Sequence, residues 1–538
     1  MVSQNGGVIA AGTFGLSQSV TTISVAAADA IAGSTTFAFV GTVDLSGTPF
    51  TLDSGQSVTG FGNGNAVTTT GTIQPANVTG NLGATGGNVT GNEAVVSGTG
   101  DFMHLLGNNA VRNTAFNFTG ATGSVFLVDQ SAGGFSNAGG ITIEGVTISN
   151  VAAGQTAIKV AGLDTNLSVI NNNINVAGTL LDVNGGTGTI SVSRGFLPNA
   201  GPAGTLTGGG INIANRTGGS VTFTDQVTLT GGNGVSLTNN AGSTVSFANA
   251  IISSTGATAF SATGGGTVNV TTGTINATNA QAVALDGIAA NINFASTSAT
   301  FSSGNGINLQ NLSGTLSLGT GTLTNTGSGA AFNVGSATNA SGGNADISYG
   351  GTIASNGTGA AVSIQEMTGG SVSLSGNLTD TNAAAGGNIV IAGNNSATIT
   401  FSGSTKQISS GATDGVNIGW PGGVVSGVPN PNPNSAINFT NGGLDITTTT
   451  GGMGFVAFGG FGPGSLAVTG SGNKINSGGD GLLVAGTNVG ASGITFDSIS
   501  AVSTVNAAGV LLSGLDLTGD INIGGLRDTA TPAPCWPA

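Results

Sequence analysis

The feature that most constrains this chain is a set of short alternating strands that recurs about every 24 residues. The first strand of each repeat carries apolar residues at alternate positions, as in 210–213, 234–237 and 306–309. A fixed period of this size is typical of stacked repeat architectures, in which each repeat buries its apolar side only against its neighbours. The repeat therefore predicts one extended array and not several separate globular domains.

One coil of the array, residues 210–233, contains three such strands, at 210–213, 221–223 and 227–229. Strict alternation indicates a half-buried strand, and strands this short are not stable alone. Stacking each strand on its equivalent in the next coil gives three parallel sheets around an apolar interior. Gly, Asn, Ser and Thr at the corners supply the turns.

We therefore predict an all-β fold: a single right-handed parallel β-helix solenoid of about twenty coils, with three short strands per coil. The alternative is a β-sandwich built from hairpins, which would show more even strands joined by Asn-Gly turns. The three-strand phase, held from about residue 157 to 410, favours the solenoid. Unequal strand spacing and irregular corners favour right-handed coils.

Departures from the period predict the boundaries within the array. Residues 1–100 hold longer strands and form less regular coils with a cap, and residues 101–419 form the regular β-helix. Residues 420–435 form a Pro-rich loop that cannot be ladder strand. Residues 436–525 form the C-terminal coils, and residues 526–538 form a tail that matches no coil.

Composition narrows the class of partner. Charged residues make up only 5% of the chain, against about 25% in an ordinary domain. The 21 acidic residues outnumber the 7 basic ones, and a net charge of −14 disfavours nucleic acid and anionic membranes as partners. The single cysteine, Cys535, allows no intrachain disulfide.

No targeting or membrane segment is recognisable. The first residues lack a basic stretch followed by an apolar one, and no run approaches the roughly 18 apolar residues of a membrane helix. We therefore expect no transmembrane segment, and a chain that is a mature part or a fragment of a longer protein.

The strand triplets, together with residues 51–62 (TLDSGQSVTGFG) and 146–150 (VTISN), resemble the right-handed parallel β-helix of bacterial surface proteins, such as autotransporter passengers and large repeat adhesins. The resemblance extends over nearly the whole chain. It implies a secreted protein or one displayed on the bacterial cell surface, with a role in adhesion, aggregation or biofilm formation.

Parallel β-helices also carry polysaccharide lyases and hydrolases, which need Asp/Glu pairs or Asp–Arg–Lys groups on adjacent coils. The outward positions of the first strand place Lys159 beside Asp182 on neighbouring coils. The only histidine, His104, lies two coils before Lys159. These three are the candidate catalytic residues, and a surface salt bridge between Lys159 and Asp182 is the simpler interpretation.

Outward positions of the first strand become apolar late in the chain, which predicts a contact face unless residues 420–435 fold over it. The candidate binding residues are Val456, Leu483 and Leu511 on this run, Phe458 beside it, and Trp420 at the start of the Pro-rich loop. Neither a Cys/His cluster nor a Gly-Gly-x-Gly-x-Asp repeat is present, so we expect no metal site and no cofactor.

We therefore expect an extracellular structural or adhesive protein that mediates surface attachment or self-association. Its partners would be a second copy, a host or neighbouring cell, or a glycan surface, met by outward Ser, Thr and Asn side chains whose weak repeated contacts supply avidity. Examples of these outward residues are Thr222, Ser246, Ser317, Ser373 and Thr400. A solenoid end could also pair into a filament. A polysaccharide-active lyase or hydrolase is the alternative function.

Overall fold

The computed structural model describes residues 9–10, 28–33, 36–40, 42–45, 49–61, 94–98, 101–112, 114–118, 122–194, 205–336, 341–382, 386–419, 431–459, 464–502 and 509–528. Nearly all of them lie in short strands or in the turns between strands. Internal contacts divide the chain into unit 1 (residues 1–253 and 264–271) and unit 2 (residues 254–263 and 272–538). Each unit is a parallel β-solenoid, so the predicted all-β solenoid is confirmed. The handedness of the coils stays a prediction.

Unit 1 contains three parallel sheets, numbered here by their order in the repeat. The first sheet stacks Phe50–Leu52, Met103–Leu105, Ser124–Asp129, Thr156–Ala161 and Thr179–Asn184. The second stacks Thr36–Val40, Ser57–Phe61, Ala110–Arg112, Ile141–Glu144, Leu167–Ile170 and Thr189–Ser193. The third stacks Thr42–Asp44, Ala94–Gly98, Thr114–Phe118, Thr147–Ser149 and Asn173–Asn175.

Three further strands lie wholly or mainly in unit 1, which also contains residues 264–270 of the strand Phe260–Val270. Leu206–Ala214 passes from the third sheet into the first, and Ser220–Thr255 continues through all three sheets without a break. Ile9–Ala10 differs from the others, because it pairs antiparallel with Thr36–Val40 at the first strand of the second sheet.

Unit 2 repeats the same three-sheet arrangement. Its first sheet begins with residues 260–263 of Phe260–Val270 and continues with Val283–Asp286, Ile307–Gln310, Phe332–Val334, Val362–Gln365, Ile389–Ala392, Val416–Ile418, Phe455–Phe458, Leu482–Ala485 and Val510–Ser513. The second comprises Ala289–Asn293, Ser313–Ser317, Asp346–Tyr349, Ser371–Leu374, Thr398–Phe401, Ala436–Phe439, Ser465–Val468, Asn488–Phe496, Asp516–Leu517 and Ile521–Ile523. The third comprises Gly273–Thr278, Ser296–Phe301, Thr322–Asn325, Thr352–Ser355, Leu378–Thr379, Lys406–Ser409, Leu444–Thr450, Lys474–Gly478, Ser498–Ala501 and Leu526–Asp528.

The core lies inside the coils, where every second strand residue points inward. The phenylalanines that alternation assigns to the interior (Phe223, Phe247, Phe294 and Phe401) are all buried. The rings of Phe223 and Phe247 stack with centroids 4.8 Å apart. Because successive strands in a sheet are also about 4.8 Å apart, equivalent rings on neighbouring coils fall at stacking distance.

Corners between the first and second sheets share a left-handed residue followed by a buried one. Asn311 (φ 51°) precedes buried Leu312, and Glu366 (φ 57°) precedes buried Met367. A residue in the left-handed conformation turns the chain sharply at a single position. Gly and Asn adopt this conformation at a lower energetic cost than other residues. The corner therefore directs the next side chain into the core.

Buried side-chain amides bind the backbone groups that the strand ladders leave open at these corners. Asn394 donates from Nδ2 to the carbonyl of Ile364 (3.0 Å) and accepts the N–H of Met367 (3.0 Å). Asn432 accepts a hydrogen bond from Nδ2 of Asn394 (2.8 Å) and donates to Ile391 (3.2 Å). The C-terminal end of the predicted Pro-rich loop, residues 431–435, is therefore anchored in the solenoid and contains no strand.

Two buried cations also bind backbone carbonyls at corners. The Nζ of Lys406 donates to the carbonyls of Gly403 (2.5 Å), Gly442 (2.6 Å) and Thr440 (2.9 Å), and burial lowers its pKa to about 8. In unit 1 the guanidinium of Arg216, only 1% exposed, also donates to three carbonyls. A buried charge is tolerated only when hydrogen bonds replace its hydration, so these side chains stabilise the corners.

Replacing Gly343 by Ala should destabilise the protein more than replacing Gly287 by Ala. Both residues have positive φ (78° and 69°), so each alanine bears a left-handed penalty of about 1–2 kcal/mol. A Cβ at position 343 would also overlap the carbonyl oxygen of Leu312, whereas one at 287 meets no atom within 4 Å. In urea unfolding we expect a loss of about 1 kcal/mol for G287A and at least about 3 kcal/mol for G343A. Equal losses would contradict this account of the corner.

Candidate functional site

The outward side chains of the first sheet in unit 1 form a single column. Strand register confirms that Lys159 and Asp182 lie on neighbouring coils and that His104 lies two coils before Lys159. The column consists of Thr51, His104, Leu127, Lys159, Asp182, Asn212 and Ser236.

The expected salt bridge between Lys159 and Asp182 is not formed. The two residues are register partners, but no nitrogen–oxygen contact within 4.0 Å joins them. Asp182 instead accepts a hydrogen bond of 2.6 Å from Nδ2 of Asn212 on the following coil, and the Lys159 side chain is exposed. Asn212 is shorter than Lys159, so ordering it beside Asp182 costs less side-chain entropy than ordering the lysine would. An exposed ion pair gains too little energy to offset that difference.

His104 has a different partner from those that the sequence suggested. Its Nε2 lies 3.7 Å from Oδ2 of Asp101, an ion-pair distance that is too long for a hydrogen bond. The other carboxylate oxygen of Asp101 accepts the backbone N–H and the hydroxyl of Ser124, both at 2.7 Å. The contact with His104 and these bonds from Ser124 lower the pKa of Asp101 to about 2. His104 therefore lies beside a carboxylate that is ionised at neutral pH, and it does not contact Lys159 or Asp182.

Asp101 belongs to a recurring arrangement. Asp101, Asn305 and Asp414 each lie two residues before a first-sheet strand. Each accepts the backbone N–H at the equivalent position of the next coil, from Ser124 (2.7 Å), Ala330 (2.8 Å) and Met453 (3.1 Å) respectively. Each also contacts the outward side chain three residues later, namely His104, Asn308 and Asn417. The pattern is visible in the sequence at 101–104 (DFMH), 305–308 (NGIN) and 414–417 (DGVN). Its first residue precedes the strand, so the alternation of outward and inward strand positions does not reveal it.

The outward column of the first sheet in unit 2 is buried over much of its length. Strand register confirms that Val456, Leu483 and Leu511 follow one another on this column, which consists of Asn308, Asn333, Ser363, Val390, Asn417, Val456, Leu483 and Leu511. Asn417 and Val456 are fully buried, although their side chains point away from the core. An outward position on this part of the column is therefore not a solvent-exposed one.

The predicted apolar contact face is wrong for two of its residues. Val456 is 0% exposed and Leu483 is 9% exposed, so neither offers a free surface. Most of the segment expected to fold over this run, residues 420–430, lies outside the described residues. Phe458 is half-buried, Leu511 is 45% exposed, and Trp420 lies outside the described residues.

Two buried carboxylates in unit 2 have raised pKa values. Asp414 accepts hydrogen bonds from Met453 and from Nδ2 of Asn417 (3.0 Å), but burial still raises its pKa to about 6. Asp380 is 1% exposed, and one of its oxygens accepts the N–H of Asn382 (3.0 Å). Its other oxygen, Oδ2, is buried without a hydrogen-bond partner among the described residues, and burial raises the pKa of Asp380 to about 6.

A second outward column is made of hydroxyl groups, and we name it the hydroxyl ladder. It lies on the second sheet of each unit, where within that unit each member is the register partner of the next, and its side chains remain at least partly accessible to solvent. The hydroxyl ladder comprises Ser168, Ser191 and Thr222 in unit 1, and Ser317, Ser348, Ser373 and Thr400 in unit 2. Neighbouring coils thus repeat a hydroxyl about every 4.8 Å.

Within the described ranges, no three His, Cys, Asp or Glu side chains come together as they would around a metal ion. In the same ranges, no helix is long and apolar enough to cross a membrane. No protein-family model, curated protein or solved structure matches this chain.

The raised pKa values of Asp380 and Asp414 predict that the protein is more stable in mild acid than at neutral pH. Between about pH 4 and pH 6 the folded chain holds protons that the unfolded chain has released, because the unfolded pKa is near 3.8. The unfolding free energy should therefore be highest near pH 4 and fall as the pH rises through 6. Urea unfolding between pH 4 and pH 7.5 measures this slope.

The double variant D380N/D414N should show a smaller change of unfolding free energy with pH and should be more stable than the wild type at pH 7. An amide at 414 can still accept from Met453, and its N–H₂ can bond to Oδ1 of Asn417, which has no partner in the described structure. Asp445→Asn, at an exposed carboxylate on the third sheet, is the matched control and should keep the slope. An unchanged slope in the double variant would refute the assignment.

Proposed function

We propose that this protein is an extracellular structural and adhesive β-solenoid, secreted or displayed on a bacterial surface, that attaches to glycan-bearing or cellular surfaces and to itself. The resemblance to β-helical surface proteins and the repeated outward polar side chains support the proposal. The hydroxyl ladder is the observation that carries it.

The hydroxyl ladder suits repeated, weak recognition. Ser317, Ser348, Ser373 and Thr400 present hydroxyls from four successive coils on one sheet face. Each hydroxyl can donate and accept a hydrogen bond, which matches the hydroxyl groups of a polysaccharide. Because every contact is weak, binding strength arises from several contacts made at once, and a rigid regular spacing keeps their combined entropy cost low.

Removing part of the hydroxyl ladder should weaken attachment without unfolding the chain. We expect S348A/S373A/T400V to bind polysaccharide-coated surfaces at least about fivefold more weakly than the wild type, because three adjacent hydroxyl contacts are lost. The matched control T274V/T278V/T322V removes three exposed hydroxyls from the third sheet and should bind normally. Surface plasmon resonance over a panel of immobilised glycans measures both. Equal binding by the two variants, or no binding by the wild type, would contradict the proposal.

A polysaccharide-active enzyme is the second candidate, and the Asp101–His104 pair is the observation that favours it. A histidine held 3.7 Å from a carboxylate is an arrangement found in general-base catalysis. On this alternative, the wild type would release reducing ends or unsaturated products from a polysaccharide, and H104A would lose at least about 100-fold of that rate. The double variant K159A/D182A tests the other two candidate residues in the same assay. The adhesive proposal predicts that none of the three proteins shows turnover.

A further inference from the structure

A second outward column runs beside the hydroxyl ladder on the second sheet of unit 2, and we name it the flanking column. Its members lie two residues before the ladder residues on the same strands, and each is the register partner of the next, without a register shift. The flanking column comprises Thr315, Asp346, Ser371 and Thr398, all at least partly exposed. Together with Ser317, Ser348, Ser373 and Thr400 it forms a polar grid, with about 4.8 Å between coils and about 7 Å between the two columns.

The side chains of the polar grid recognise hydroxyl groups. Seven of its eight residues are Ser or Thr, whose hydroxyls both donate and accept hydrogen bonds. The eighth is Asp346, whose Oδ1 accepts the hydroxyl of Ser371 (2.8 Å). Because none of the eight residues is aromatic, the grid offers no ring on which a sugar could stack. A bound sugar is therefore held through its hydroxyl-bearing edges.

The charge of this face excludes an anionic ligand. Within the described residues, none of the second-sheet strands of unit 2 contains Lys or Arg. A polymer of uronate or sulfate groups would meet the carboxylate of Asp346 without a cation to offset it, and such like-charge contacts oppose binding. Toward a neutral sugar the same carboxylate is favourable, because it accepts charge-assisted hydrogen bonds from hydroxyls.

We infer that the polar grid binds a neutral β-1,4-linked glucan that lies along the stacking direction of the coils, with one sugar on each coil. Rings in an extended β-1,4-linked chain advance by nearly the distance between strands and carry hydroxyls on both edges of the ribbon. One edge then contacts the hydroxyl ladder and the other contacts the flanking column. An α-1,4-linked glucan curves into a helix, so it leaves a straight column after a few sugars. This inference names the ligand class of the hydroxyl ladder and rests on the proposed function.

Isothermal titration calorimetry of the full chain with three matched hexasaccharides tests the inference. Cellohexaose and maltohexaose contain the same sugar and differ only in linkage, and a β-1,4-linked mannuronate hexamer keeps the linkage but adds charge. Cellohexaose should bind at least about tenfold more tightly than either of the others, because only it meets several coils at once without repulsion. Its affinity should also rise with length from cellobiose to cellotetraose.

A variant of the flanking column tests whether both edges of the glucan are held. We expect T315V/T398V to bind cellohexaose at least about fivefold more weakly than the wild type, because two hydroxyl contacts are lost. The matched control T274V/T278V removes two equally exposed threonine hydroxyls from the third sheet and should bind normally. Melting temperatures should agree among the three proteins, since all four threonines are exposed.

The variant Asp346→Asn tests the exclusion of anionic ligands, because it removes the carboxylate from an exposed position. D346N should bind the mannuronate hexamer more tightly than the wild type does. Equal binding of cellohexaose and maltohexaose, wild-type binding by T315V/T398V, or an unchanged affinity of D346N for mannuronate would overturn the inference and leave the adhesive proposal standing. Failure of the wild type to bind any of these sugars or the immobilised glycan panel would overturn both.

Discussion

The parallel hydrogen-bond ladder between successive coils is the interaction on which the rest of this structure depends. Most strands are only a few residues long, and such short strands are stable only when paired with their equivalents above and below. That requirement fixes the register, and the register fixes which side chains point inward, because side chains alternate strictly along a strand. The stacked rings of Phe223 and Phe247 follow directly from this spacing.

The same backbone hydrogen-bond ladder determines where buried polar side chains are needed. Corners interrupt the strand pairing, so buried side chains must satisfy the backbone there. Asn394, Asn432, Lys406 and Arg216 all bind corner backbone groups, and Asp101 and Asp414 accept N–H groups of the next coil. Much of the small complement of titratable side chains therefore holds coils together, which is why the raised pKa values occur at buried structural positions.

The sequence predicted the sheets and their register well, because period-2 alternation and a repeat near 24 residues leave little freedom. It could not predict which side chains pair. Lys159 and Asp182 are neighbours as expected, yet Asp182 bonds to Asn212, and the choice depends on side-chain length and entropy. The contact of Asp101 with His104 was not predicted, because Asp101 lies before its strand and is not an outward strand position. The sequence was wrong about Val456 because alternation tells which side chains point outward but not which of them are exposed to solvent.

The two outward columns of unit 2 differ in their exposure to solvent. On the first sheet, Asn417 and Val456 are fully buried although both are outward positions of their strands. The second sheet keeps Ser317, Ser348, Ser373 and Thr400 in an uninterrupted column that solvent reaches. A surface that must bind an extended polymer needs such continuity, because its affinity grows with the number of equivalent contacts made together. The hydroxyl ladder therefore offers the contacts of the proposed glycan binding in unit 2, whereas the first-sheet column is buried at Asn417 and Val456.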